Sequence, residues 1–163
     1  MKKRIKRTDK NMLIVIGWAL IIAGWLANHW LSEIRDRRKE VRSALDSFHS
    51  KVESLRDEAI KFHVGKEYNE NIANSLLMTI SKLEVIALRL RLLNEENVAR
   101  LFKGTRQAIT LNNFESSSFI CLPMHSSIII DIEISVEDIS STMESAYSYE
   151  YPINFPFYNF KNN

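Results

Sequence analysis

MLIVIGWALIIAGWLANHWL, residues 12–31, runs for twenty residues without an Asp, Glu, Lys or Arg. At 1.5 Å of rise per residue such a helix spans roughly 30 Å, about one hydrocarbon core. The stretch reads as a single transmembrane helix. A cleaved signal peptide would share the basic start and apolar middle, but it needs small residues just before the cut. Ala27 has Trp25 two positions before it and Gly24 has Ile22, so the reading favours an uncleaved anchor.

The ends and faces of this helix carry further information. Trp25 and Trp30, with Asn28 and His29 between them, suit the level of the lipid headgroups. Gly17 and Gly24 lie seven apart on one face, while Ala19, Ala23 and Ala27 form a small-xxx-small row on another. Both patterns let helices approach closely. The candidate membrane-packing residues are therefore Gly17, Ala19, Ala23, Gly24 and Ala27.

Charge sets the expected orientation. Of the net +2 over 163 residues, the basic tail of residues 1–11 carries +5 and residues 112–163 carry −6. Six cations precede the helix, against Arg35, Arg37, Arg38, Lys39 and Arg42 after it. Lys and Arg favour the cytoplasmic side, which predicts a cytoplasmic N-terminus and a C-terminal domain outside, in a plan shared by many small proteins of the bacterial inner membrane. Arg35, Arg37, Arg38 and Lys39 join Trp25 and Trp30 as membrane-interface candidates, because a basic flank also suits anionic lipid.

Beyond the anchor, apolar residues fall at 31, 34, 41, 45, 48, 52, 55, 59 and 62, alternate three and four spacings broken only by Arg38. This is a heptad seam, expected to form a stalk over about 32–63 in phase with the membrane helix. Its flanks oppose a parallel homodimer. With Leu45 at a and Phe48 at d, the contacts between copies set Arg37 against Arg42 and Lys51 against Arg56. Packing within the chain is the better expectation, and Gly65 is placed to stop the helix.

A second stripe supplies the partner. Ile72, Leu76, Ile80, Leu83, Ala87, Leu90 and Leu93 recur at helical spacing after the polar turn 65–71, with Asn69 as cap. An antiparallel hairpin with the stalk follows, with a helix over 70–93. Leu77, Ile86 and Leu88 make that stripe too wide for one partner. Asn94 caps a third helix over 95–111, carrying Val98, Leu101, Phe102, Thr105, Ala108 and Ile109, and residues 112–127 read as a loop.

Residues 128–147 hold two patterns. Ile130 to Glu137 alternates like a strand, whereas Ile132, Val136, Ile139, Met143 and Ala146 repeat like a helix across a longer span. A lone strand would have nothing to pair with, so a helix is expected, its acidic residues Asp131, Glu133, Glu137, Asp138 and Glu144 near the basic flank of the stalk. The fold class is thus all-α: a membrane helix continuous with a heptad stalk, a small antiparallel bundle over 32–147, and an extended aromatic-rich tail over 148–163. Tyr149, Tyr151, Phe155, Phe157, Tyr158 and Phe160 in that tail are candidates for docking a partner.

Catalytic patterns are weak. Only Gly65 and Gly104 lie outside the membrane segment, too few for a phosphate-binding loop, and neither H-E-x-x-H nor C-x-x-C occurs. Cys121 and His125 flank Pro123 but have no third residue to orient them. His49 and His63, at e positions, read as ordinary solvated histidines with a pH-sensing role as the sharper alternative. No enzyme activity, catalytic residue, metal or cofactor is expected. The basic residues abut the anchor rather than forming a nucleic-acid face, so nucleic acid and small-molecule substrates are not expected partners. The expected partners are the lipid bilayer and either another copy of the chain or a different membrane or envelope protein. The sequence therefore points to a non-enzymatic scaffold or adaptor. The alternative is a membrane-perturbing effector or signal transducer, of toxin or phage-defence type, worked by rearranging membrane helices.

Overall fold

The computed structural model describes residues 2–115 and 117–152, with the side chains of 2–11 and 13 outside that description. Four α-helices make up its regular structure: α1 (Lys2–His63), α2 (Glu70–Leu90), α3 (Glu95–Thr110) and α4 (Ser127–Glu150). Among the described residues there is no strand. The chain divides into two compact units between Glu40 and Val41.

The helix ends follow local chemistry. Asn69 and Asn94 each accept a hydrogen bond from the backbone three residues on, at Ile72 (3.2 Å) and Asn97 (2.9 Å), as their positions before the stripes suggested. Ser126 does the same for Ile129 at 3.4 Å. α2 stops at Leu90 rather than near residue 93, because Arg91 turns left-handed (φ 55°) and returns its N–H to the Leu88 carbonyl. α1 ends in a tight turn in which the Gly65 N–H donates to Phe62 O at 3.2 Å. A Cβ at Gly65 would lie 3.1 Å from that carbonyl oxygen, so close approach is what glycine permits here.

The second unit is a four-helix bundle around one core. α1 contributes Leu45, Phe48, Val52, Leu55, Ala59 and Phe62, α2 contributes Ala73, Leu76, Ile80, Leu83 and Ala87, and α3 contributes Val98, Phe102 and Ile109. α4 adds Ile132, Val136, Ile139, Met143 and Tyr147, so the helical pattern prevails there and the strand-like alternation is left as exposed Ile130 and Ile134. The buried seam of α1 begins only at Val41, since Leu31 and Ile34 are exposed.

Backbones approach most closely between α2 and α3 and between α3 and α4. The Thr105 hydroxyl donates to Leu101 O (3.2 Å) and reaches Ser135 O across the α3–α4 contact at 3.4 Å. The backbone of α1 lies further from those of the other helices. Its specific polar contacts go to α4, where Arg42 meets Glu144 at 2.6 Å, and to the end of α3. The sequence named α2 as the stalk's partner; in the bundle α1 faces a core fed by all three other helices.

Candidate functional site

Among the described residues, the first unit presents an apolar helix with nothing packed on it. From Met12 to Leu31 each described residue is exposed except Gly17, which is half-exposed. Trp25 stacks on His29 with centroids 5.7 Å apart and rings within 5° of parallel. Gly17 and Gly24 have open space where a Cβ would stand, and Ala19, Ala23 and Ala27 are exposed on their own face. A polar band follows Trp30. Arg35, Arg37 and Lys39 are exposed, Arg38 is half-buried, and Lys39 pairs loosely with Asp36 at 3.8 Å. By length and composition α1 is one of two helices apolar enough to cross a membrane; the other, α2, places Leu76, Ile80, Leu83 and Ala87 in the bundle core.

In the second unit the charge pattern between α1 and α4 is resolved. Arg42 takes Glu144 (2.6 Å) and Asp46 (2.9 Å) and lies 5.4 Å over the Tyr147 ring. Lower on the same seam a shallow cleft is lined by Glu53, Arg56, Glu133, Ile134, Glu137 and Asp138. The acidic face of α4 thus lies beside α1, with Arg56 held by Glu53 at 2.6 Å and Asp57 at 3.1 Å. Between these levels His49 Nε2 and Ser140 Oγ are both buried with no hydrogen-bond partner among the described residues.

The far end of the bundle is organised by His63, and here the sequence reading is corrected. Rather than a solvated histidine, His63 is completely buried. Its Nε2 lies 3.0 Å from the Ile109 carbonyl, which can only accept, so Nε2 carries the proton. Nδ1 is then free to accept from the Asn113 amide at 3.4 Å. Asn113, left-handed at φ 56°, also clamps the loop by bonding both backbone groups of Ile120, at 2.7 and 2.9 Å. Burial pushes the His63 pKa below the ordinary histidine value, partly offset by the bond to Ile109. The imidazole is neutral by construction of its surroundings.

No protein-family model, curated protein or solved structure matches this chain. Its residues must therefore be read from their own geometry.

The loop after α3 closes over this end. Leu122 N–H donates to His63 O at 2.9 Å, and Phe114 and Phe119 each bring their rings 5.2 Å from Phe62. Cys121 is exposed and its thiol donates to Val64 O at 3.2 Å. The hub escaped the sequence because heptad position alone says nothing of a loop folding over the helix end. The available signal was Asn112–Asn113, a residue pair tolerant of the left-handed turn that brings the loop back.

Of the aromatic tail, Tyr149 is exposed, while Tyr151 is half-buried with its ring centroid 5.1 Å from that of Tyr147 at a tilt of 35°. Tyr151 thus belongs to the bundle's edge. Phe155, Phe157, Tyr158 and Phe160 lie outside the described residues.

Proposed function

We propose that the chain is a single-pass, non-enzymatic membrane protein in which residues 12–31 anchor a helical unit that works by association. The observation that supports this most is the exposure of the twenty-residue uncharged run, whose Trp25 and Trp30 are 64% and 63% exposed. Left in water, so continuous an apolar surface is far larger than a monomeric soluble protein carries. A bilayer removes it from water, with Trp25 and Trp30 at the headgroup level and Arg35, Arg37 and Lys39 beyond.

The second unit complements this reading. It has a closed core of its own and uses the buried His63 to hold helix and loop together, so its outward surfaces are what remain for function. In this reading the N-terminus is cytoplasmic, the bundle lies outside a bacterial inner membrane, and the partner is another copy or a neighbouring envelope protein.

Fusions at Asn163 test the reading. Alkaline phosphatase fused there should be active and green fluorescent protein dark, and the chain should stay in the membrane pellet after carbonate extraction. Fluorescence without phosphatase activity would reverse the topology and bring forward the effector reading. Release by carbonate would refute the anchor itself.

A further inference from the structure

α2 has two faces, and its core accounts for one of them. Opposite the buried residues, Leu77, Met78, Val85 and Leu88 are 36%, 59%, 46% and 37% exposed. With Asn74 and Ser81 they form a strip along the helix that carries no charge. Asn74, Met78, Ser81, Val85 and Leu88 follow one another at four, three, four and three residues. That is the spacing of a seam between two helices running side by side. Ser81 is the small residue at its centre, and its hydroxyl already donates to Leu77 O at 3.1 Å, so covering it strands no donor.

We propose that this strip binds the same strip of a second copy, with the two α2 helices parallel. The occupant is chosen by the flanking charges. Taking Met78 and Val85 as a positions, Glu84 occupies g and Arg89 occupies e. Glu84 already holds Arg106 of its own chain at 3.3 Å; in a parallel pair it also faces Arg89 of the other copy, twice by symmetry, and Leu77 lies along the stem of Lys82. An antiparallel pair centred on Ser81 would instead bring Lys82 beside its own counterpart. Asn74 supplies a polar layer of the kind that sets register at some loss of affinity.

This deepens the reading above and rests on it in one respect. Two heptads alone make a weak contact, but α2 is already ordered by the bundle, and anchoring both copies in one bilayer raises their effective concentration.

Disulfide trapping of the full-length chain in native membranes decides the matter. In a Cys121→Ser background, Val85→Cys and Leu88→Cys should each give a covalent dimer on mild oxidation, while Gln107→Cys, exposed on α3, should not. Arg89→Glu sets like charges together at both symmetric contacts and should weaken pairing about tenfold; Arg89→Lys, which keeps the charge and leaves the Glu84–Arg106 pair intact, should not. No dimer at Val85 or Leu88, or equal trapping at Gln107, overturns the proposal. So does a Val85→Cys chain that links only to a Leu77→Cys chain, which would mean antiparallel pairing. Carbonate extraction of the same samples separates the two readings: a chain in the pellet without trapping sinks the α2 pairing alone, and trapping of extractable chain sinks the anchor alone.

Discussion

The seam of α1 from Val41 to Phe62 and the outward strip of α2 are written with the same alternation of three and four, yet they meet different fates. The first is buried inside its own chain. The second is left facing solvent. Spacing shows only that a helix has an apolar face; what covers it is decided by the residues beside it. Lys51 and Arg56 would repel their counterparts in a parallel pair of α1 helices, whereas the flanks of the α2 strip attract. The contrast also separates two kinds of stability, one belonging to the single chain and one to assembly.

The largest effect comes from breaking the inner seam. Phe48 is fully buried among residues of the other helices. Phe48→Ala should cost about 3–5 kcal/mol through lost transfer energy and the cavity left behind. Thermal unfolding of the full chain in detergent measures this. A loss below about 1 kcal/mol would mean the α1 seam is not closed within the chain.

The next effect tests how the end of that seam is held. His63 is neutral in the fold, with a pKa lowered by burial, while in the unfolded chain it returns to about 6.5. Below that pH the unfolded state binds a proton that the folded state refuses, so stability is full above about pH 6.5 and falls as pH drops toward the lower folded pKa. Protonation would also place a second donor against the Asn113 amide. The difference between wild type and His63→Leu across pH 5–8 isolates this contribution, which should shrink toward acid. The variant also strands the Ile109 carbonyl, at a cost of about 1–3 kcal/mol at pH 8. A wild-type curve parallel to that of the variant would show that His63 titrates as if solvated.

Much of the bundle was legible because its helices are long and periodic. Asn69 and Asn94 announced two starts, and the stripe in 128–147 outlasted the competing alternation. What sequence could not show was tertiary. Arg91 ends α2 early by a left-handed turn that no propensity assigns to arginine. His63 changes from a surface residue to a buried hub because a loop some fifty residues later folds over it, through Asn113 at one side. The site was half visible: Leu77 and Leu88 marked α2 as too apolar for one partner, but Ile86 of the same group is half-buried, and the uncharged strip emerges only when the outward face is known.

The smallest effect on stability carries the sharpest test of the comparison. Met78 gives well over half of its surface to solvent, so Met78→Gln removes little packing and exposes no buried polar group. Exposed substitutions of this sort fall within about 0.5 kcal/mol. The unfolding midpoint of the monomer in dilute detergent should therefore hardly move, while trapping through Val85→Cys should fall. Phe48→Ala should do the reverse in kind, lowering the midpoint first and losing trapping only as the bundle melts. If Met78→Gln lowers the midpoint as a core change does, α2's outward strip is packed within its own chain, and the distinction between the two stripes fails.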